Sequence, residues 1–316
     1  MKLFLFCGAL AVFPLQAQDS SIRTTTSVDV NGNRIAEGTQ VEQTKSKNAT
    51  ETTERLQSIN GRMVPVERVD DRVIRDDASG KVTERVIHRF DPNGNPTTPI
   101  KEVVEEQKHG DGSTIQTTRY QTDINGSQQI VQKTITETHK NGSSETSSTE
   151  LLRPVEGSLQ TVEKKEMVRM HEGTGYREED TTYRRDGNGG FGVAIRETKE
   201  HSEQGGQASD NTAEYEIGPQ GTLQLHNQSV ATTITRPDGT KDSVVNLFGR
   251  NAPGNVDSDG KLKLFEQQII EQKPRPGGTV ETLSVRRPSV SDPSTLGPTQ
   301  QISETTCKGK CTTPAQ

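Results

Sequence analysis

Polar and apolar residues alternate in short runs along this chain, and turn-forming clusters break the runs about every 16 residues. The run Ile130-Val-Gln-Lys-Thr-Ile-Thr-Glu-Thr-His139 is typical of the style. Its β-branched residues lose rotamer freedom in a helix and suit a pleated surface. Alternation with a period of two, bounded by turns, predicts strands. Helix competes over Leu262 to Gln272 and Val162 to His171, but the frequent turns oppose it.

The turns have a shared chemistry. Asp29-Val-Asn-Gly32, Asp91-Pro-Asn-Gly94, Asp123-Ile-Asn-Gly126 and Asp186-Gly-Asn-Gly189 all read Asp-x-Asn-Gly. Pro, where present, presets a negative φ at the first turn position, Asn or Asp suits the next, and Gly takes the positive φ of a three-residue hairpin loop with a bulge. Every second turn falls at Gly94, Gly126, Gly157, Gly189 and Gly221, a period of about 32 residues. Strands joined by such turns form hairpins, and hairpins in series form an antiparallel meander. The expected fold is therefore all-β. It is an extended meander, single-layered or strongly twisted, built from hairpin repeats of about 32 residues.

The period also sets an expected register. With the glycine and the two residues before it as the loop, Tyr120 faces Ile130, Leu151 faces Thr161, Tyr183 faces Val193 and Tyr215 faces Leu225. The next pairs on that face are Phe90 with Pro96, Arg153 with Leu159, Arg185 with Phe191 and Ile217 with Leu223. The opposite face pairs Gln121 with Gln129, Arg184 with Gly192 and Glu216 with Gln224. Three of the chain's four Tyr thus occupy equivalent places. Tyr120, Tyr183 and Tyr215 are the candidate binding face.

Four segments follow. Residues 1–17 read as a signal peptide: Lys2, an apolar run from Leu3 to Leu15 and the small Ala17 before the cut. Residues 18–57 are an irregular or weakly β segment. Residues 58–287 carry the hairpin repeat. Residues 288–316, rich in Pro, Ser and Thr, read as a disordered tail with a cysteine pair. Cys307 and Cys311 form a disulfide candidate in an exported chain.

Composition narrows the functional classes. Only 27% of residues are hydrophobic and 3% aromatic, too few for a thick enzyme-like core. The net charge of -6 comes from interspersed acids and bases, with no basic patch to track nucleic acid. No run reaches the roughly 18 apolar residues of a membrane helix, so no transmembrane segment is expected in the mature chain. An outer-membrane barrel is set aside as well, since it needs an outward apolar band and aromatic girdles.

The chemistry of the chain yields no catalytic, cofactor or metal residues. Gly187-Asn-Gly-Gly-Phe-Gly192 matches a dinucleotide spacing by letter, but it falls in a hairpin turn with no helix behind it. His171-Glu172 lacks the second His of a zinc protease. Asp257-Ser-Asp-Gly260 offers too few oxygens for a calcium loop. His109, His139, His171 and His201 recur at intervals of 30 to 32. On one edge of a sheet they would be a pH-sensitive ladder. The turn Phe90-Asp-Pro-Asn-Gly-Asn95 resembles turns of the YD/Rhs class of bacterial surface repeats, over a few turns only.

The expected function is that of an exported, non-enzymatic scaffold, spacer or adhesion protein of the bacterial envelope or exterior. It would be secreted, periplasmic or on the cell surface, without a cofactor. The alternative is a carbohydrate- or protein-binding module using the tyrosine face, with a secreted enzyme the least favoured. Its partner would be a surface protein or glycan, and its open sheet edges would permit self-association.

Overall fold

The computed structural model describes residues 19–309, apart from 48, 124, 219, 251–260, 290 and 293–294. The signal segment and Cys311 lie outside these residues. Among the described residues, eighteen strands run in sequence order, each antiparallel to the next. They are β1 (Asp19–Val28), β2 (Arg34–Lys47), β3 (Thr50–Ile59), β4 (Arg62–Asp77), β5 (Gly80–Arg89) and β6 (Ile100–His109). Then come β7 (Gly112–Thr122), β8 (Gln128–Asn141), β9 (Ser144–Val155), β10 (Ser158–Glu172), β11 (Gly175–Arg185) and β12 (Phe191–Gln204). The last are β13 (Gln207–Ile217), β14 (Leu223–Thr235), β15 (Lys241–Gly249), β16 (Lys263–Arg275), β17 (Gly278–Arg286) and β18 (Gln300–Lys308).

The sheet does not stay open. β1 pairs with β18 from Ile22–Lys308 to Ser27–Ser303, which closes the wall into a barrel. This corrects the expected open meander and removes the free edges through which self-association was expected. Two segments decide the closure. Gln300–Lys308, expected within a disordered tail, is the closing strand, and the segment 18–57 supplies three regular strands. A strand this polar is ordered because both of its backbone edges find partners, β17 on one side and β1 on the other.

Closure also explains the thin core. Eighteen strands about 4.8 Å apart and tilted by about 40° give a backbone radius of about 18 Å. Side chains cannot fill that width, so the barrel is hollow. The chain exposes 21294 Å², whereas a compact chain of its mass exposes about 13,000 Å².

The expected register holds where the loop is three residues long. Tyr120 faces Ile130, Tyr183 faces Val193, Tyr215 faces Leu225, Arg185 faces Phe191 and Ile217 faces Leu223. It slips by one at Gly157, where Leu152 rather than Leu151 faces Thr161, and Pro154 rather than Arg153 faces Leu159. The reason is local: Glu156 and Gly157 both have positive φ (51° and 83°), so the loop has two residues.

The Asp-x-Asn-Gly turns close as their sequence implies. Asp91 Oδ1 accepts hydrogen bonds from the backbone N–H of Asn93 (2.8 Å) and Asn95 (2.9 Å), and Gly94 adopts φ 84°. Asp29, Asp123 and Asp186 repeat the same pair of contacts. The Gly187–Gly192 glycines accordingly belong to a hairpin turn, with Gly189 at φ 84°.

Candidate functional site

Following the paired residues around the barrel separates its two faces. One carries Asp71, Arg85, Glu102, Arg119, Arg169, Glu178 and Lys199. Its long side chains are covered: Glu102 is 5% exposed, Glu178 6% and Asp180 5%. The other face carries Val168 at 46% and Met170 at 44%, with Arg177 and Glu179 also exposed. Side chains converge inside a cylinder and diverge outside it, so the covered face is the inner wall.

The inner wall is organised as charge ladders across neighbouring strands. Glu178 accepts hydrogen bonds from Arg169 Nε (2.6 Å) on β10 and Lys199 Nζ (3.0 Å) on β12. Lys199 also reaches Asp180 (3.3 Å) and Glu197 (2.8 Å), and Lys165 reaches Asp180 at 3.2 Å. Burial pushes the Glu178 carboxyl up, yet the hydrogen bonds from Lys199 and Arg169 outweigh it and hold the carboxyl below its usual range. Burial likewise lowers Lys199, and Glu197 and Glu178 more than compensate, so its ammonium is held on more firmly than usual.

A second ladder spans β4 to β7. Arg85 donates to both oxygens of Asp71 (2.7 and 2.8 Å), and Arg119 donates to Glu102 (2.7 Å). Hydroxyl pairs continue the wall at Thr136–Thr149 (3.0 Å), Thr44–Thr53 (3.1 Å) and Thr233–Ser243 (2.8 Å). Between β14 and β17 the mid-height wall turns less polar: Ala231 faces Val245, and Ile270 faces Leu283. The lumen is thus charged over one arc and small, hydroxylic or aliphatic over the other. These ladders escaped the sequence reading. Their signal was present, since reflection about the turn at Gly173 pairs Arg169 with Glu178, but it needs the exact loop length.

The tyrosines share one environment. Tyr120, Tyr183 and Tyr215 all lie on the outer wall, each beside a β-bulge one step before the same rim. Tyr183 donates its hydroxyl to Glu166 at 3.1 Å, and that contact with burial raises its pKa, burial contributing most.

The histidine ladder does not form. His109 and His139 lie on the outer wall and His171 and His201 on the inner wall. A spacing of 30 to 32 keeps sequence parity, but the two-residue loop at Gly157 changes which parity faces inward. The inner pair flanks Tyr176, whose ring stacks on His201 at 5.3 Å and meets His171 edge-on at 6.3 Å. His201 Nδ1 lies 2.6 Å from Asp210 Oδ1, and the Arg169 guanidinium sits 4.9 Å over the Tyr176 ring.

Cys307 is disulfide-bonded and projects from β18 opposite Arg23 and Thr279. Among the described residues no three His, Cys, Asp or Glu gather as a metal site, and no helix is long and apolar enough to cross a membrane. The turn Asp257–Gly260 lies outside the described residues.

The class of protein is therefore defined by its wall: a closed, hollow, antiparallel β-barrel of eighteen strands. No family model and no curated protein matches the chain. Several solved structures are similar to it over most of its length at low identity. OmpF of Salmonella typhi, in complex with daunomycin, has a TM-score of 0.46 at 9% identity, covering 92% of this chain and 96% of its own. CdiB of Acinetobacter baumannii has 0.40 at 8%, covering 93% and 60%. A loop-deletion form of OmpT, an outer membrane protein of Vibrio cholerae, has 0.37 at 8%, covering 92% and 98%.

Closure overturns three expectations together. An elongated open sheet offering a broad face as scaffold, spacer or adhesion surface is not what this chain builds, nor is a flat module presenting that face to a glycan or protein. The lack of an apolar helical run carries no weight against a membrane location, because barrels cross with strands. The dismissal of a barrel also fails, because the sheet closes on itself.

Proposed function

We propose that the chain is a barrel of the bacterial cell envelope whose hydrated, charge-lined lumen admits water and small polar solutes. The observation that carries this reading is closure by β1 and β18 around a radius that side chains cannot fill. Barrels of sixteen to eighteen strands leave an aqueous channel. The inner wall suits that use, since its carboxylates are already met by Arg169, Lys199, Arg85 and Arg119 and need no ligand to neutralise them. The signal segment supports export to the envelope.

The reading is tested by an added cysteine at Thr212, an inward position in the middle of β13. Thiol reagents of graded size are applied to the folded Thr212→Cys barrel. Small polar reagents are expected to label it rapidly, and polymer-linked reagents wider than the lumen at least tenfold more slowly. Equal rates for all sizes, or no labelling by any, would overturn the passage.

A further inference from the structure

The outer wall carries a repeating pattern just below one rim. On the strand before each tyrosine, a cation lies directly opposite: Lys101 faces Tyr120, Lys164 faces Tyr183 and Arg196 faces Tyr215. Lys133 faces Leu152 at the equivalent place. Across the next pairing each ring meets an aliphatic residue, Ile130, Val193 or Leu225. Leu56 with Pro65, and Phe248 with Leu264, extend the row to β3 and β16.

A second row lies nearer the rim. It includes Met63, Leu159, Phe191 and Ile217, which are 43%, 37%, 38% and 44% exposed. Lys164 Nζ sits 5.3 Å over the Phe191 ring of this row and reaches Glu150, opposite it on β9, at 2.9 Å. The bulges set the phase. Without the extra residue at Val131, Ala194, His226 and Phe265, the alternation would carry each partner to the other face.

We propose that this rim is seated in a lipid surface. The shape selects that occupant. An apolar belt at one level around a cylinder, from β3 to β16, meets a plane all at once, whereas a protein partner would cover a sector. The chemistry agrees, because tyrosine rings flanked by Lys and Arg belong at the boundary between hydrocarbon and headgroups. The depth limits the contact. Two rows on one face span about 7 Å along a strand, while an apolar band that crosses a membrane is about 25 Å tall. Farther from the rim no apolar row continues: Glu166, Glu179, Thr181, Gln228 and Gln267 interrupt scattered aliphatics such as Val168 and Val230. The belt therefore anchors one end of the barrel in a leaflet, with the polar wall standing in water.

The chain has no Trp, so single Trp substitutions are clean reporters. The folded mature chain is mixed with phosphatidylcholine vesicles and its emission followed. Ile130→Trp and Phe191→Trp are expected to shift to shorter wavelength, and the protein to float with the vesicles. Val168→Trp, on the same face but away from the belt, is expected not to shift. Tyr120→Ser combined with Tyr183→Ser should reduce flotation at least tenfold, and the matching Phe substitutions should retain it. Unchanged emission at Ile130→Trp, equal shifts at all three sites, or a belt already buried in a dimer would overturn the proposal. Thiol labelling of the lumen needs no vesicles, so either result stands without the other.

Discussion

Thr25 and Thr305 are 280 residues apart in sequence, and their hydroxyl oxygens lie 2.9 Å apart on the inner wall. This contact sits on the seam where the first strand meets the last. Everything hollow about the protein depends on that seam, because an open sheet of the same strands would enclose nothing.

A chain ending at residue 299 removes β18 and leaves β1 and β17 as bare edges. We expect it to lose the closed state and to associate through those edges. Size-exclusion chromatography should show oligomers where the full chain gives one species. A monomeric, equally stable truncation would show that closure is not required.

The inner ladder should matter more than the outer charges. Glu178→Ala removes a covered carboxylate and leaves Arg169 and Lys199 short of a partner, at a cost of about 2 kcal/mol. Glu179→Ala, next in sequence but on the exposed outer wall, should change stability by no more than about 0.5 kcal/mol. Chemical denaturation of the two variants gives the comparison directly.

Turn glycines should separate by backbone conformation. Gly189 has φ 84°, where a Cβ is strained, so Gly189→Ala should cost about 1 kcal/mol. Gly192 lies in open space without a positive φ, so Gly192→Ala should be near neutral or slightly stabilising. Equal melting temperatures would contradict the turn assignment.

The Asp turns give a pH dependence with a definite sign. Hydrogen bonds from Asn33 hold Asp29 below its ordinary value, and those from Asn95 do the same for Asp91. A carboxyl depressed in the folded state stabilises fully above its unfolded pKa, and that contribution is lost as pH falls through the folded value. Stability should therefore drop below about pH 4. Asp29→Asn with Asp91→Asn should flatten that part of the curve while leaving neutral pH behaviour measurable.

Much of the fold was legible because hairpins are local. The spacing of Asp123, Asn125 and Gly126 fixes a loop, and the loop fixes Tyr120 against Ile130 a few residues on either side. The register failures were also local in origin. One residue fewer in the loop at Gly157 shifted Leu152 into the place expected for Leu151 and divided the histidines between two walls. A strand has a side-chain period of two, so a single residue reverses inside and outside.

By itself the sequence determined the strands of the repeat between about residues 58 and 287, most of their turns, the level of the tyrosines and the shortage of core. Only the tertiary structure decided that the sheet closes. Ile22 and Lys308 sit opposite each other through accumulated twist and stagger around eighteen strands, and no run of neighbouring residues encodes that sum. The same closure decided which alternate residues became a lumen and which a wall facing outward. It made Arg169, Glu178 and Lys199 inner-wall ladder residues and left Tyr120, Tyr183 and Tyr215 on the outside.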